Sequence, residues 1–309
     1  MKHLLFILIT LIGINAHAQY QFDVGVTVGS AGYLGEIGGG ESEAKPFVLD
    51  LKLSQARWNL GGFARYRIID NLYVRADLMT IRLQGADSLS QNPERNSRNL
   101  SFRNDIIEFT GRVEYSLISI HDFGNTGRYL LDFKTNLILG AGVFYNNPKA
   151  LYNGSYVSLR PLQTEGVKYS AFQFTLPVGA GLFWTYKRQH RIGVEAVWRF
   201  TLTDYIDDVS STYPNDTTGM SPEAIALSNR NPELSESPIN RNNYGSSLNP
   251  DYENIRGSPK GKDSYLVVSV SYSTVLRGSY KNKRFQATRS RSSIGSSKKR
   301  LGRRTRAKF

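Results

Sequence analysis

Four aspartates crowd the stretch FTLTDYIDDVSSTYPND, which covers residues 200–216. Carboxylates this close together can ligate calcium, work as general acids and bases, or accept backbone N–H bonds in a turn. The spacing does not fit an EF-hand loop, because the glycine at the sixth position and the glutamate at the twelfth are missing. We predict that Asp204, Asp207 and Asp208 form a structural turn at the outer rim of the fold. A calcium site and a contact with an outside partner are the alternatives.

The partners expected for this turn are arginines of a second stretch, RNLSFRNDIIE, at residues 98–108. We predict that Asp207 and Asp208 pair with Arg98 or Arg103. Together with Arg95, these arginines could instead bind phosphate groups, since guanidinium groups are well suited to phosphate. We favour the ion pairs within the protein.

Histidine-dependent catalysis is not indicated. His3 and His17 belong to a predicted signal segment, and His121 and His190 fall in predicted turns away from the aspartates. A nucleophile or carboxylate activated by histidine needs that base within hydrogen-bond reach. The sequence therefore predicts no enzyme, no catalytic residues, no metal and no cofactor.

Residues 1–18 have the features of a secretory signal: basic Lys2, an apolar run over 4–14, and a small-x-small cleavage site at 16–18. The chain contains no cysteine, which excludes both a lipid-anchored lipoprotein and disulfides. It contains 18 Tyr, 15 Phe and 28 Gly, and its apolar residues alternate with polar ones. This combination is typical of antiparallel barrels.

Eight segments alternate with period two, as strands do when their side chains face opposite sides of a sheet. Long and short connections alternate between them, and aromatic residues stand near their ends, as in outer-membrane barrels with short periplasmic turns. We predict an all-β, eight-stranded antiparallel transmembrane outer-membrane barrel over 19–276, with a secreted sandwich as the alternative. The predicted strands are 20–29, 57–69, 72–86, 100–117, 128–145, 170–187, 190–205 and 264–276. The predicted outer loops are 30–56, 87–99, 146–169 and 206–263, and the Asn-, Ser- and Pro-rich last loop is expected to lack packing.

One face of these strands carries nearly balanced charges, and eight strands enclose room only for their own side chains. We predict a packed salt-bridge network inside the barrel instead of a pore. Asp23 and Lys134 lie on the same predicted inner face, and the predicted members of the network are Arg65, Arg67, Arg75, Asp77, Glu108, Arg112, Glu114, Glu195 and Arg199.

The formal net charge of +13 is concentrated in residues 277–309, which hold bases and no acid, so that the rest of the chain is balanced. Such a run could bind nucleic acid, but an exported protein meets little of it, and we expect no nucleic-acid partner. We predict a basic, disordered periplasmic tail that docks an anionic partner, with a merely solvated tail as the alternative. The predicted docking residues are Arg277, Lys281, Lys283, Arg284, Lys298, Lys299, Arg300, Arg303, Arg304 and Arg306.

Several runs resemble the PorG proteins of the Bacteroidetes type IX secretion system. They include RNLSFRNDIIE, FYNNPKALY, LRPLQTEG, TDYIDDVSSTY and RGSPKGKDSYLVV, in order along nearly the whole barrel. The resemblance implies a non-enzymatic barrel in the outer membrane, associated with a periplasmic ring of PorK- and PorN-like proteins and with both chain ends in the periplasm. Outer-membrane lipid, peptidoglycan and inner-leaflet phospholipid are further expected contacts. A porin-like transporter and an adhesin or lipid-binding barrel are the alternative functions.

Overall fold

The computed structural model describes residues 22–37, 53–90, 92–122, 131–214, 216–234, 255–258 and 261–276. The chain divides into two units, Met1–Arg277 and Gly278–Phe309, and every described residue belongs to the first. The predicted signal segment and the predicted basic tail lie outside the described residues.

The described part of the chain contains ten strands and two short α-helices. The strands are β1 (Phe22–Leu34), β2 (Arg57–Ile69), β3 (Leu72–Ala86), β4 (Ser101–Ile120), β5 (Leu131–Tyr145), β6 (Lys149–Tyr152), β7 (Ser155–Ser158), β8 (Phe172–Tyr186), β9 (His190–Thr201) and β10 (Ser264–Leu276). The helices are Pro93–Arg98 and Pro222–Ser228.

Eight of these strands form a closed antiparallel barrel in the order β1-β2-β3-β4-β5-β8-β9-β10. The barrel closes where β1 pairs with β10 along its whole length, from Phe22 opposite Leu276 to Leu34 opposite Ser264. Closure leaves no strand edge unpaired, which a sheet in a lipid bilayer requires. The predicted fold class is confirmed.

The structure differs from the predicted loops in two places. Residues 30–34, predicted as loop, continue β1, because the small and aromatic side chains of Ala31 and Tyr33 are buried against the barrel interior. Strands β6 and β7 form a hairpin inside the predicted loop 146–169, and Lys149 pairs with Arg103 of β4. The hairpin strands are four residues long, too short to show a clear alternation in sequence.

The barrel is apolar outside and polar inside. Val26 of β1 and Phe172 of β8 are 58% and 68% exposed, and similar outward-facing residues surround the barrel. Charged residues of the same strands are buried, among them Arg65 and Glu114. This arrangement is the reverse of a water-soluble protein and matches a barrel whose outer surface contacts lipid. Among the described residues, no helix combines the length and the apolar character needed to cross a membrane.

The two ends of the barrel differ. The turn end carries short connections, such as 70–71 and 187–189, and the loop end carries the long ones. Tyr66, Tyr115 and Tyr272 face outward near the turn end, where an interfacial aromatic girdle is expected.

The loop half of the lumen is apolar and is covered by packed loops. Ile81, Leu83 and Ile106 of the strands form one buried cluster with Ile206 and Val209 of the long loop after β9. The helix Pro222–Ser228 lies in the same loop and begins at Ser221, whose side chain accepts a hydrogen bond from the Ala224 N–H. The expectation that loop 206–263 lacks packing is therefore wrong for its described part, because a few apolar residues suffice when the barrel supplies the rest of the core. Residues 235–254 lie outside the described residues.

Candidate functional site: the lumen network and the loop-end cap

Ten charged side chains line the lumen, eight of them in its turn half and one pair nearer the loop end, and we call them the lumen network. In the described chain they are five arginines and five carboxylates: Asp23, Arg65, Arg75, Asp77, Glu108, Arg112, Glu114, Arg191, Glu195 and Arg199. The alternation of β1, β2, β3, β4 and β9 turns all of them inward. The network is therefore balanced in formal charge.

Four members form a closed ring of ion pairs. The Nη atoms of Arg75 lie 2.8 Å from Asp77 and 2.6 Å from Glu195. Arg112 binds the same two carboxylates, Asp77 at 2.9 Å and Glu195 at 3.1 Å. Each charge in the ring thus has two opposite neighbours, which offsets the high cost of burying it.

The rest of the network extends from this ring. Glu114 lies 3.5 Å from Arg75 and 3.0 Å from Arg65, and Arg65 lies 2.7 Å from Asp23. Asp23 also contacts Arg191 at 2.7 Å. One chain of ion pairs therefore crosses the lumen from β9 through β1, β2 and β4 to β3.

Arg199 and Glu108 form a separate pair nearer the loop end, 3.0 Å apart, and the Tyr265 hydroxyl donates to Glu108 at 2.5 Å.

Aromatic rings pack against the network. The guanidinium carbon of Arg75 lies 3.5 Å from the centre of the Phe63 ring, and that of Arg65 lies 5.0 Å from the Phe183 ring. Gly193 leaves room for Phe183, since a Cβ at this position would lie 2.5 Å from its Cδ1 atom. Rings and ion pairs together fill the turn half of the lumen, and the apolar cluster fills the loop half.

The structure brings together eight of the nine residues predicted for the lumen. The exception is Arg67, whose side chain is 33% exposed and lies 3.7 Å from Asp70 in the turn between β2 and β3. It faces inward by alternation but stands at the turn end, where water replaces the network. Arg191 is the member that the prediction left out, although its place on the polar face of β9 was evident from the alternation.

A second polar cluster lies in the loop-end cap, by which we mean the described residues of 35–37, 87–100, 146–171, 202–234 and 255–263. In this described part, six carboxylates are buried beside two buried arginines, Arg98 and Arg256. The six are Asp87, Glu165, Asp204, Asp207, Asp208 and Asp263. The cap therefore carries an excess of buried acid, in contrast to the lumen network.

The two buried arginines connect the cap loops. Arg98 binds both oxygens of Asp87, at 2.7 Å and 2.9 Å, and donates to the backbone oxygens of Arg256 and Glu36. Arg256 binds Glu165 at 3.0 Å and donates to the backbone oxygen of Ser228. Four separate loops are thus held by two side chains.

Among the described residues the rim aspartates do not form the predicted close ion pairs with Arg98 or Arg103, although the charge of Arg98 acts, against the larger effect of burial, to lower the pKa of Asp207. Asp208 lies 3.8 Å from Arg256, whereas Arg98 pairs with Asp87 and Arg103 pairs with Asp105. Arg103 is turned outward by the alternation of β4, so it cannot reach the buried turn. Arg256 lies far along the chain in a loop without periodicity, and nothing in the sequence pattern pointed to it.

Hydroxyl and backbone donors hold the rim aspartates as well. Asp208 accepts from the hydroxyls of Thr164 and, at 2.6 Å, Tyr169. Asp204 accepts from the Ser210 hydroxyl at 2.7 Å. Asp207 accepts from the backbone N–H groups of Val209 and Ile37, at 3.0 Å and 3.2 Å.

A third arrangement joins Asp207 to Asp263. The Tyr33 hydroxyl donates to Asp263 at 2.5 Å and also contacts Asp207. Burial raises the pKa of Asp207 to about 7 and that of Asp208 to about 6. Burial and the neighbouring Asp207 raise the pKa of Asp263 well above its ordinary range, and they raise that of Glu36 to about 8. The cap therefore retains protons near neutral pH.

Within the described ranges, no group of three or more His, Cys, Asp or Glu side chains is arranged to hold a metal ion. The two described histidines lie at the turn end, where His190 Nδ1 is 2.8 Å from the Tyr272 hydroxyl and His121 lies 3.6 Å from Asp132. They are separated from the cap carboxylates by the length of the barrel.

The fold and the filled lumen define a membrane-spanning β-barrel protein, and single-chain barrels of this architecture belong to outer membranes. The chain belongs to the family described as Domain of unknown function (DUF6089), whose model matches residues 2–222. A search of the curated proteins finds no match.

Two solved structures are similar in fold. The N-terminal β-barrel domain of Pseudomonas aeruginosa OprF is 8% identical and has a TM-score of 0.29, with 81% of this chain and 96% of that chain covered. Ail, the attachment invasion locus protein of Yersinia pestis, in complex with sucrose octasulfate, is 9% identical and has a TM-score of 0.31, with 82% and 97% covered.

Proposed function

We propose that this barrel is a non-enzymatic component of the type IX protein secretion machinery, which anchors a periplasmic ring of PorK- and PorN-like proteins at the outer membrane. The observation that carries the proposal is the filled lumen. A barrel interior occupied by the lumen network and by an apolar cluster offers no route for a solute, so the function must lie on its surfaces. An anchor is the simplest such function.

The ends of the chain support a dock on the turn end. Phe22 at the start of β1 pairs with Leu276 at the end of β10, so the first and last described residues of the barrel lie at the turn end. Short turns face the periplasm in outer-membrane barrels. With that orientation Phe22 and Leu276 face the periplasm, and the proposal is that the basic tail, 277–309, finds its partners in that compartment.

A tight turn at the same end adds two cations. Lys187 and Arg188, between β8 and β9, have positive φ values of 49° and 54°. Two consecutive positive φ values match a type I′ turn, and the Gln189 N–H donates to the Tyr186 backbone oxygen at 3.0 Å to close it. The turn supplies cations for an acidic partner, and the bases of the tail sequence supply more; attachment to peptidoglycan carboxylates or inner-leaflet phospholipid would use the same charges.

The test is co-purification of ring proteins with the tagged full-length protein from its own cells. Two matched variants change Lys298, Lys299, Arg300, Arg303, Arg304 and Arg306, either to glutamine or by exchanging lysine with arginine. We expect ring proteins with the full-length protein and the exchange variant, and their loss with the glutamine variant or at high salt. A chain truncated after Leu276 should behave like the glutamine variant.

Equal recovery of ring proteins with all variants would contradict a basic-tail dock. Conductance of the purified barrel in planar bilayers well above the background would contradict the anchor itself, because it would require an open lumen.

A further inference from the structure

A polar patch interrupts the apolar outer wall of the barrel at the loop end. We call it the rim patch; it consists of Trp58, Arg82, Arg103, Asp105 and Lys149. Strand register places Arg82 beside Asp105 and Arg103 beside Lys149, all on outward-facing positions. The positions toward the middle of the wall are apolar and exposed, and they include Leu60, Leu78, Ile107 and Phe109.

One carboxylate fixes the two arginines of the rim patch. Asp105 lies 2.5 Å from the Nε atom of Arg82 and 3.1 Å from an Nη atom of Arg103. Both arginine side chains are 27% exposed. Asp105 binds Arg82 through Nε, and within the described residues the Nη groups of Arg82 have no hydrogen bond to the protein, which leaves them available as donors.

Aromatic rings flank the arginines on either side. The guanidinium carbon of Arg82 lies 5.1 Å from the centre of the Trp58 ring, and that of Arg103 lies 4.5 Å from the Tyr156 ring. Tyr156 comes from the β6–β7 hairpin, which extends the wall beyond β4. Stacking restricts the rotation of both long side chains, which lowers the entropy lost when they bind a ligand.

The charge of the rim patch is unbalanced. Three cations face one carboxylate, which leaves two net positive charges on a wall that is otherwise apolar. In the lumen each arginine is matched by an acid, so this excess is specific to the outer wall. The patch lies on the loop-end side of the apolar band, and long basic side chains and Trp or Tyr commonly lie at such a boundary, at the level of lipid headgroups.

We propose that the rim patch binds the phosphate of an anionic lipid headgroup. Planar guanidinium groups match phosphate oxygens with paired hydrogen bonds, and Lys149 adds a third positive charge. The exposed apolar residues between the rim patch and the middle of the barrel wall would contact the acyl chains of the same lipid. A soluble anion would lack this second contact, which is why a lipid is the expected occupant.

The test titrates the full-length protein in neutral detergent with diphosphorylated lipid A, phosphatidylglycerol, phosphatidylcholine and inorganic phosphate, with bound lipid read by native mass spectrometry. Arg82→Gln/Arg103→Gln is compared with Arg67→Gln, which removes a partly exposed arginine at the turn end. We expect the double variant to bind the anionic lipids at least about tenfold more weakly, because it loses two charge-assisted contacts. The affinity of the control variant should not change. Arg103→Lys should retain part of the affinity.

The four ligands separate the sources of the phosphate. Preference for lipid A supports a site that recognises phosphomonoesters, and equal binding of phosphatidylglycerol supports one for anionic lipid phosphate in general. Equal binding of phosphatidylcholine, displacement of lipid by inorganic phosphate at matching concentration, or unchanged binding by a correctly folded double variant would overturn the proposal. Heat-modifiable migration on gels checks the fold, and this test is independent of the ring-protein experiment.

Discussion

The lumen network and the loop-end cap solve the problem of buried charge in opposite ways. In the lumen, five arginines and five carboxylates of the described strands pair almost completely. In the cap, six buried carboxylates stand beside two buried arginines, and hydroxyl and backbone donors make up the difference. The first cluster is built on strands and the second on loops.

The difference shows how each region can respond to its surroundings. A balanced network loses stability when any one member is removed, because the partner remains buried and uncompensated. A cluster with excess acid can instead hold protons, as the raised pKa values of Asp207 and Glu36 indicate. We therefore expect the barrel to be sensitive to substitution and the cap to be sensitive to pH.

The largest effect is expected for Arg75→Met. Arg75 lies within 3.5 Å of Asp77, Glu114 and Glu195, so its loss leaves three carboxylates short of a partner. Breaking a buried ion pair in this way typically costs about 3–5 kcal/mol. The midpoint of urea unfolding in detergent, followed by heat-modifiable migration, should fall accordingly.

Arg67→Met is the matched control for Arg75→Met. Arg67 has the same side chain on the neighbouring strand, but its pair with Asp70 is exposed and should contribute about 0–1 kcal/mol. Similar unfolding midpoints for the two variants would mean that the lumen network does not stabilise the barrel.

A smaller and more local effect is expected for Arg256→Met. Arg256 joins Glu165, Asp208 and the backbone of Ser228, all outside the barrel strands. Its loss should loosen the cap while the closed strand pairing persists. Limited proteolysis should cut the cap loops about tenfold faster, which corresponds to about 1.4 kcal/mol of local opening.

The exposed Lys262, from the same region, provides the control. Lys262→Met should leave the rate of proteolysis unchanged. If Arg256→Met lowered the unfolding midpoint of the barrel as much as Arg75→Met, the cap and barrel would form one cooperative unit and the contrast between them would fail.

The barrel could be predicted from sequence because its strands repeat a simple rule. Period-two alternation located all eight barrel strands and turned Arg65, Glu114 and Glu195 toward the same side, since the pattern depends only on neighbouring residues. The ends of strands were less certain, as residues 30–34 illustrate. In that segment the alternation of apolar and polar residues is lost, and the small residues are buried by the loops of the cap.

The cap could not be predicted in the same way. The turn at Asp207 and Asp208 was recognised as structural, but its arginine, Arg256, lies 48 positions away from Asp208. Loop residues show no periodicity, so the direction of their side chains cannot be predicted from the sequence. The excess of acid was equally hidden, because Asp87 and Asp263 belong to different loops and meet only in the fold.

The smallest effect concerns the protons of the cap. The folded pKa values of Glu36 and Asp207, about 8 and about 7, lie above the ordinary values of 4.5 and 3.8. The folded cap therefore binds protons that the opened cap releases. The stability that these two carboxyl groups give the closed cap is fully present below about pH 4, the ordinary carboxyl pKa range. That contribution is lost as the pH rises toward 8. The proteolysis rate of the cap should accordingly increase between pH 5 and pH 9, while the unfolding midpoint of the barrel changes less.

Glu36→Gln tests which carboxylate causes this loss. Its Oε1 atom accepts the Ser258 N–H, and its buried Oε2 atom has no hydrogen-bond partner among the described residues, so an amide fits in place of the protonated acid. The variant should keep its resistance to proteolysis up to a higher pH than the wild type. Glu233→Gln, which alters a carboxylate in the exposed pair with Arg230, should follow the wild-type profile. A profile for Glu36→Gln that also matches the wild type would assign the pH response to Asp207 and Asp263, joined through Tyr33.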